Sequence, residues 1–450
     1  MRTPVGQRLR AAAPPVLALA LVGVAALLPN PDDGSRPPVP VPVSRAAYAC
    51  PSGTSVALGQ VSPGDTVVAR EVPGGRRRPS MEHPDRWRRT QLTDSALVIE
   101  QVGRRSGAAG FFARTLGAEE GGGLTVGACP GTVDQSWYLG LGSGAKHLSR
   151  VILTNLSDVV AVADLAMWGS QGPIEEVGAR GVVIKPRSVQ VIELSKFAAE
   201  EPDLALRVNR RRGALAVTVL DGSQRVFAGS EAMPPTRIPS KRQFVGGIPA
   251  NPKGRSLVIL NPGSATARVT ATVLGHGGPI VPQGLQSVAV GAGSVKNVDL
   301  PPGIGSGPVS IRLDANEPIV AGARFDFGKT DYAAAVSARA LDGPALIPVE
   351  LGAGVERPRL TLTALGRSAQ VTITGYDAGM NVVGRATVDL DASTTKSVRL
   401  TTVGDAAYAV VRTRGPVIGA ALFQTADGVA SVPLEAAPMR VLGPNVRPAS

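Results

Sequence analysis

Apolar residues alternate with polar ones over short stretches along most of the chain, and glycine or proline interrupts these stretches every few residues. A period of two places successive side chains on opposite faces of a strand, and frequent Gly and Pro mark the turns between strands. Aromatic residues make up only 4% of the 450 residues, whereas Gly and Pro number 54 and 38. The pattern therefore predicts an all-β protein.

One arrangement of strands and turns recurs along the body of the chain. The segment SRVILTNLSDVVAVADLAMWGSQGPI (149–174) corresponds to RSLVILNPGSATARVTATVLGHGGPI (255–280). In these two copies Asn155 and Asn261 lead the first turn, and they lie 106 residues apart. A repeated unit of this length indicates a series of similar domains.

A third copy occupies residues 358–383, with Ala364 in place of the asparagine. The middle copy contains seven candidate strands: SLVIL, RVTATVL, QSVAVG, SVKNVDL, PVSIRLD, IVAGARFDF and AAAVSAR. Seven short strands in about 100 residues are typical of an immunoglobulin-like sandwich, whereas a propeller repeats every ~40–50 residues. We therefore predict about three tandem immunoglobulin-like β-sandwich modules. Their expected bounds are 50–235, which includes a non-repeating N-terminal segment, 241–342 and 346–441.

The N-terminus has the composition of an export signal. Arg2, Arg8 and Arg10 precede an uncharged, mostly apolar run that ends at Leu28. Residues 1–28 are therefore interpreted as a cleaved signal peptide or an uncleaved signal anchor, with the rest of the chain outside the membrane. The proline-rich residues 29–49 are expected to form an extended linker. The predicted location is extracytoplasmic, either membrane-anchored or secreted after cleavage.

The chain has two cysteines, Cys50 and Cys129, each preceded by Ala and followed by Pro. Outside the cytosol two cysteines are expected to pair, because no reducing pool keeps them free. A metal or redox role needs cysteines or histidines close together, and His83, His147 and His276 are scattered. The sequence therefore predicts a structural Cys50–Cys129 disulfide, with no metal ion and no cofactor.

Three short motifs resemble those of a known family. They are the two Cys-Pro sites, the ACP that shortly precedes WYLG at 137–140, and the strand that ends in Asn155-Leu156. Over roughly residues 50–440 the chain resembles an uncharacterised family of secreted actinobacterial proteins, the domain of unknown function 5719. The resemblance implies an envelope location, and it brings no assigned activity and no catalytic residues.

Short motifs that suggest enzymes lack the context they require. GKT at 328–330 matches part of a phosphate-binding loop, but the residues before it alternate as a strand. SGAK at 143–146 has the Ser-x-x-Lys spacing of penicillin-binding enzymes but lacks both companion motifs. The acidic pairs at 119–120, 175–176 and 200–201 lie in polar loops. We therefore predict no enzymatic activity.

The aromatic residues leave two interpretations open. Trp87, Trp137 and Trp168 would stack on the sugars of a wall polymer if they were exposed. Alternatively, Trp137 and Phe244, which occupy similar places ahead of two repeats, are buried and cap the core of each sandwich. The exposure of the tryptophan side chains distinguishes these interpretations.

Residues 74–90 concentrate positive charge in a protein whose formal net charge is +12. Six arginines lie there, opposed by Glu82 and Asp85: Arg76, Arg77, Arg78, Arg86, Arg88 and Arg89. Such a run is often a solvated loop. Alternatively, it binds an anionic surface, where each arginine contributes about 1 kcal/mol. The expected anions are lipid headgroups or phosphate- and carboxylate-bearing wall polymers, and no nucleic-acid partner is expected.

Three classes of function follow. The first, which we expect, is a non-enzymatic envelope protein that acts as a scaffold or binding module for wall polymers or other envelope proteins and contacts the membrane through its N-terminal segment. The second is a carbohydrate-binding protein that uses exposed aromatic residues. The third is a glycan-active enzyme whose pair of carboxylates has no recognisable sequence signature.

Overall fold

The computed structural model describes residues 39–42, 45–61, 66–82, 86–103, 107–116, 123–145, 147–224, 228–250, 254–301, 304, 307–327, 331–352, 354–437 and 440–443. The predicted signal segment 1–28 lies outside these residues. Within them the regular elements are β-strands and four short 3₁₀ helices: Pro79–Met81, Val177–Ala179, Leu194–Lys196 and Leu400–Val403. In the described part of the chain no helix has the length and apolarity needed to span a membrane. The prediction of an all-β chain built of sandwich modules is confirmed.

The chain divides into two compact units, of which the smaller comprises residues 1–42 and 440–450. Its described part is an antiparallel pair formed by β1 (Val39–Pro42) and β35 (Arg440–Gly443). The larger unit, residues 43–439, contains all the other strands. Residues 45–49, which we assigned to the linker, begin the first strand of the larger unit.

Residues 45–128 form a small two-sheet sandwich, the N-terminal module. Its strands are β2 (Arg45–Cys50), β3 (Ser55–Gln60), β4 (Thr66–Val72), β5 (Arg88–Gln91), β6 (Ala96–Val102), β7 (Ala108–Thr115) and β8 (Leu124–Ala128). One sheet has the order β2-β6-β4 and the other β5-β3-β7-β8. Val56 and Phe112 from the second sheet pack against Val67 and Ile99 from the first. This non-repeating segment is therefore a sandwich in its own right.

Residues 135–233 form the first repeat. Its strands are β9 (Gln135–Leu141), β10 (Ser143–Gly144), β11 (His147–Asn155), β12 (Ala161–Trp168), β13 (Pro173–Ile174), β14 (Val182–Ile184), β15 (Val189–Glu193), β16 (Leu204–Arg212), β17 (Leu215–Gln224) and β18 (Ala228–Met233). The two sheets have the orders β13-β12-β16-β9 and β10-β11-β17-β18, with β14 and β15 beside β12 and β11. Their alternate apolar residues, such as Val151 and Leu206, fill the core between the sheets.

Residues 240–336 form the second repeat. Its strands are β19 (Ser240–Ile248), β20 (Arg255–Asn261), β21 (Ala267–Gly275), β22 (Gly278–Ile280), β23 (Val288–Val290), β24 (Ser294–Asp299), β25 (Val309–Phe327) and β26 (Asp331–Val336). We predicted two strands, PVSIRLD and IVAGARFDF, where the structure has the single strand β25 of 19 residues. The first part of β25 pairs with β21 up to Ala315, and the second part pairs with β20 from Val320. Pro318 lies between the two ladders, where a missing N–H breaks no pairing with β20 or β21.

Residues 345–433 form the third repeat, which has two four-stranded sheets. Its strands are β27 (Ala345–Pro348), β28 (Arg359–Ala364), β29 (Ala369–Tyr376), β30 (Val382–Leu390), β31 (Thr395–Arg399), β32 (Tyr408–Arg414), β33 (Val417–Gln424) and β34 (Val429–Pro433). The sheets have the orders β27-β32-β29-β30 and β31-β28-β33-β34.

The repeated asparagines hold equivalent turns by the same hydrogen bonds. The Nδ2 atom of Asn155 donates to the carbonyl oxygens of Val159, Ile184 and Lys185, at 2.7, 3.2 and 3.0 Å. Asn261 makes the corresponding three bonds, at 2.7, 3.2 and 2.9 Å, to residues 106 positions further along the chain. Both asparagines are fully buried. In both repeats the asparagine side chain therefore ties the end of one strand to the loop between two others.

Within the larger unit each module packs on the next one along the chain. The N-terminal module meets the first repeat at an ion pair between Glu100 and Arg187, whose atoms lie 2.7 Å apart. The first repeat packs Trp137 and Trp168 against Val258 of the second repeat. These contacts bury groups that a separate sandwich would expose to water.

The series of contacts also closes on itself. The second repeat meets the third through a 2.7 Å hydrogen bond between the hydroxyls of Ser310 and Thr363. The third repeat then packs on the N-terminal module, where Trp87 stacks on Tyr408 with ring centroids 5.2 Å apart. The four modules therefore form a closed cycle instead of a string of independent domains.

Candidate functional site

The last strand of each module lies where the four modules meet. In the order β8, β18, β26 and β34, each of these strands contacts the next, and β34 contacts β8. Every module therefore contributes its final strand to a shared junction, which we call the acidic junction because three buried carboxyl groups, Asp221, Glu231 and Asp331, lie at it or directly behind it.

Asp331, the first residue of β26, ties the four modules together. Its carboxylate accepts hydrogen bonds from the backbone N–H groups of Leu124 and Val429, each at 2.8 Å, and of Ser230 at 3.2 Å. These donors belong to the N-terminal module, the third repeat and the first repeat, respectively. Asp331 is fully buried. One side chain thus satisfies backbone donors from all the other modules.

Glycine makes this close approach possible. Gly123 and Gly229 have φ angles of +108° and +157°, which favour glycine. A Cβ atom on Gly123 would lie 2.7 Å from Oδ1 of Asp331, and one on Gly229 would lie closer still. Larger residues at these positions would push the carboxylate out of the junction.

Burial sets the protonation of the junction. It raises the pKa of Asp331 to about 7, although the backbone donors act in the opposite direction. Burial also raises the pKa of Glu231 well above its usual range, and the charge of Asp331 raises it further. A charged group without water is costly, so both carboxyl groups hold a proton to higher pH than exposed ones do.

A hydrogen-bond network extends from the junction toward the interface of the first and second repeats. Asp221 accepts from Nε2 of His147 at 2.9 Å and from the hydroxyls of Ser149 and Tyr332. In a catalytic triad the serine would bond to the histidine, whereas here both donate to the aspartate. Ser149 is also fully buried. The geometry is that of a structural network, and it links β26 of the second repeat to the first repeat.

His147 also lines a cleft of about 270 Å³ between the first and second repeats, which we call the polar cleft. One wall is the outer face of a sheet of the second repeat, and the register of that sheet explains its composition. Ser256 of β20 is paired with Asp299 of β24 on one side and with Arg324 of β25 on the other. The alternate residue Leu257 points into the core. The alternation that builds the core therefore places polar groups on the cleft wall.

The opposite wall belongs to the first repeat and consists of Gly140, His147 and Asp203. Asn297 of the second repeat donates a 2.5 Å hydrogen bond to Asp203 across the cleft. Arg324 lies 3.6 Å from Asp326 and its guanidinium stands over the ring of Tyr332. The complete lining is Gly140, His147, Asp203, Gly254, Arg255, Ser256, Val258, Asn297, Asp299, Arg324 and Asp326.

The arginine segment is largely paired within the protein. Arg76 and Arg78 both bind Glu71 of β4, which holds the pKa of that carboxyl below its usual range. Arg77 lies 2.5 Å from Glu82. Within the segment only Glu82 and Asp85 oppose the arginines, and Glu71, which lies outside it in β4, adds a further carboxylate.

The remaining arginines of the segment differ from one another. Arg89 lies 3.8 Å from Glu350 of the third repeat, Arg88 is half-buried and Arg86 is exposed. Asp85 lies outside the described residues. The structure therefore assembles no single field of six exposed arginines.

The tryptophans form no exposed stacking surface. The exposed fractions of Trp87, Trp137 and Trp168 are 6%, 3% and 8%. Trp137 lies between two modules, whereas the neighbouring Tyr138 enters the core of the first repeat. The interpretation of buried aromatics is therefore correct for the tryptophans, but Trp137 caps an interface and not its own core. Phe244 is only half-buried.

The structure also locates the predicted disulfide, the SGAK motif and one of the acidic pairs. Cys50 and Cys129 are joined at disulfide-bonding distance, with Cα atoms 4.7 Å apart. Ser143 of the SGAK motif lies in β10 and not at the start of a helix. Glu175 pairs with Arg180 on the surface, and Glu176 accepts from the N–H of Gly178. The GKT motif and the pair at 119–120 lie outside the described residues. No metal-binding cluster occurs in the part of the chain that the structure describes.

Residues 89–401 match a family of unknown function, DUF5719. The chain belongs to this family. The resemblance drawn from the Cys-Pro and WYLG motifs is thereby confirmed. The DUF5719 match includes Asp331, its donors Leu124 and Ser230, and both walls of the polar cleft. It ends before Val429 of the junction.

No curated protein matches the chain. Among solved structures, the crystal structure of Thermotoga maritima 1070 is 26% identical over 22% of this chain and 93% of that chain, with a TM-score of 0.19. A structure of infectious bursal disease virus Gx strain is 11% identical over 90% of this chain and 84% of that chain, with a TM-score of 0.11.

Proposed function

We propose that this protein is a non-enzymatic component of the cell envelope that acts outside the cytoplasm as a scaffold or binding module. The observation that carries the proposal is the burial and hydrogen bonding of the side chains that could take part in catalysis. Asp331, Asp221, His147 and Ser149 are buried and hydrogen-bonded to the protein itself. Groups held in this way stabilise an assembly of modules and do not face a substrate.

The disulfide supports the proposed location. Structural disulfides persist in oxidising compartments and are rare in the cytosol. The Cys50–Cys129 bridge closes a long loop, with a sequence separation of 79. The basic, apolar N-terminus supports export in the same direction, with residues 1–28 as a signal peptide or a membrane anchor.

Closure of the cycle of modules supports the scaffold role. The interfaces at Trp87, Trp137 and Ser310 fix each sandwich against its neighbours. A fixed arrangement holds exposed loops at constant separations, which is what a platform for wall polymers or envelope proteins requires.

Protease treatment of intact cells tests the location. The full chain, produced in its own host, should be digested by an added protease while a cytosolic marker is spared. Mass spectrometry without reduction should recover Cys50 and Cys129 in one linked peptide pair. Protection from the protease together with free thiols at both cysteines would overturn the proposal.

Incubation with purified wall glycans tests the absence of catalysis. The protein should release no reducing ends above the level of a boiled sample. Release that persists in the purified full chain would instead support the third class, a glycan-active enzyme.

A further inference from the structure

The polar cleft has the balance of groups that an uncharged ligand requires. Its two guanidinium groups are engaged, because Arg324 lies 3.6 Å from Asp326 and Arg255 donates to the carbonyl of Ile304 at 3.2 Å. An anion would therefore have to displace existing partners. The carboxylates form no group of three that could hold a metal ion within the described residues. These contacts favour neither an anion nor a metal ion as the ligand of the cleft.

What the cleft does offer is a set of fixed donors and acceptors at close spacing. The register Asp299–Ser256–Arg324 places a carboxylate, a hydroxyl and a guanidinium side by side across three strands. Asn297 and Asp203 add an amide and a second carboxylate. Hydroxyl groups both donate and accept, so a polyhydroxylated molecule can satisfy such a mixture.

The lining of the cleft includes two glycines and one apolar residue, Gly140, Gly254 and Val258. The carboxylate of Asp326 packs closely on Gly254, because a Cβ atom there would lie 2.5 Å from Oδ2 of Asp326. The volume of about 270 Å³ is just under the range of small-ligand pockets, roughly 300–1,000 Å³. One or two sugar units match this size and this mainly polar lining.

We propose that the polar cleft between the first and second repeats binds a short segment of an uncharged saccharide. The proposal rests on the non-enzymatic binding role given above and names its ligand class. Ser256, Asn297 and Asp299 supply hydrogen bonds from one wall, and Asp203 supplies them from the other. His147 takes no part, because both of its ring nitrogens already bond to the protein. The buried tryptophans take no part, so recognition depends on hydrogen bonds and not on aromatic stacking.

Titration of the full chain with defined probes tests the cleft. The protein is purified in a detergent without a sugar headgroup, and saturation-transfer NMR and calorimetry are run with maltotriose, cellotriose and tri-N-acetylchitotriose. Inorganic phosphate and spermidine serve as the anionic and cationic probes. At least one trisaccharide should bind, and neither charged probe should compete with it.

Two variants and two matched controls locate the binding. Ser256→Trp fills the cleft and should abolish binding, and Asp299→Ala removes one charged acceptor and should weaken it about tenfold. The controls are Arg359→Trp and Arg399→Ala, at the paired positions of the third repeat that correspond to Ser256 and Asp299. Both controls should bind like the unmodified protein.

Three outcomes would overturn the proposal: no trisaccharide binds, Ser256→Trp binds as well as the unmodified protein, or a charged probe competes. Circular dichroism and the unfolding midpoint show whether each variant is folded. If Ser256→Trp is unfolded, Asp299→Ala supplies the test, because Asp299 is exposed and its replacement should not disturb folding. If no trisaccharide binds but the protein on intact cells is digested by added protease, the cleft proposal fails and the proposed location stands. Binding followed by cleavage of the trisaccharide keeps the cleft and removes the non-enzymatic role.

Discussion

Asp331 and Asp377 make the same number of side-chain hydrogen bonds in opposite surroundings. Asp331 accepts from three backbone N–H groups of three other modules, 98 to 207 residues away in sequence. Asp377 accepts three bonds from Gly379 and Asn381 within its own exposed turn. The first carboxylate joins the whole larger unit, and the second shapes five residues.

The pKa values of the two carboxyl groups move in opposite directions. Burial raises the pKa of Asp331 to about 7, whereas the hydrogen bonds from Asn381 lower the pKa of Asp377. Hydrogen bonds favour the charged form in both cases, so solvent decides the difference. A hydrogen-bond count alone therefore says neither how much a carboxylate stabilises the protein nor at which pH it does so.

The largest effect is expected from Asp331→Ala. It leaves three buried N–H groups without an acceptor, and at about 1–3 kcal/mol for each the free energy of unfolding should fall by about 5 kcal/mol. Asp377→Ala removes as many bonds from an exposed turn, where water replaces them, and should leave the midpoint almost unchanged. Denaturant unfolding of both variants measures this contrast, and equal losses would break the comparison.

The pH dependence of stability should separate the two aspartates next. A carboxyl group whose folded pKa is raised holds its proton more tightly when folded, so its stabilisation is complete below the unfolded pKa and is lost as pH rises toward the folded pKa. Relative to Asp331→Asn, the unmodified protein should therefore lose up to about 4 kcal/mol between pH 4 and pH 8, from the shift of 3.8 to about 7.

Asp377→Asn should show the reverse sign. A lowered pKa gives stabilisation that is present above the unfolded pKa and is lost as pH falls. Glu231 is present in the unmodified protein and in both variants, but the charge of Asp331 raises its pKa. The difference from Asp331→Asn therefore includes the part of the Glu231 titration that depends on this charge, which has the same sign. Unfolding midpoints from pH 3 to pH 8 measure both curves, and a flat difference for Asp331→Asn would show that it does not titrate in this range.

Local patterns predicted most of the secondary structure, because a strand or a turn depends on neighbouring residues. The Asn155 and Asn261 turns, the alternation of β20 and the pairing of two isolated cysteines all follow from short segments or from composition. The junction does not, since the partners of Asp331 lie in other modules. The GKT motif directly precedes Asp331, and no local pattern marks the aspartate as important.

A signal for the junction was nevertheless present in the repeats. Each backbone N–H group that donates to Asp331 belongs to a residue that directly follows a glycine: Gly123, Gly229 or Gly428. Cycle closure has no such signal, because the Trp87–Tyr408 contact joins distant segments.

Removing the disulfide tests how much a covalent bond next to the junction contributes to stability. Cys129 directly follows β8, the strand whose first N–H binds Asp331. Replacing both Cys50 and Cys129 with Ala should lower the free energy of unfolding by about 4 kcal/mol, because the unfolded chain gains the freedom of a loop with a sequence separation of 79. Reduction of the unmodified protein should lower its midpoint equally and leave the double variant unaffected. A double variant as stable as the unmodified protein would show that the hydrogen bonds of the junction alone hold β8.

The smallest effect on stability is expected at the arginine segment, which extends the contrast from carboxylates to ion pairs. Arg77 and Arg76 lie on the surface, so Arg77→Ala should leave the unfolding midpoint unchanged despite its 2.5 Å pair with Glu82.

Binding is the sharper measure, because Glu71 and Glu82 neutralise the arginines that would meet an anionic surface. Exchanging both glutamates for Gln should increase binding to vesicles that contain anionic lipid, and the increase should disappear at high salt, where charges are screened within about 3 Å. Asp134→Asn and Asp164→Asn together, which remove the carboxylate partners of Arg210 and Arg211 in the first repeat, are the matched control with the same change in net charge. If this control increases vesicle binding as much as the glutamate exchange does, the effect comes from net charge and the segment is a solvated loop.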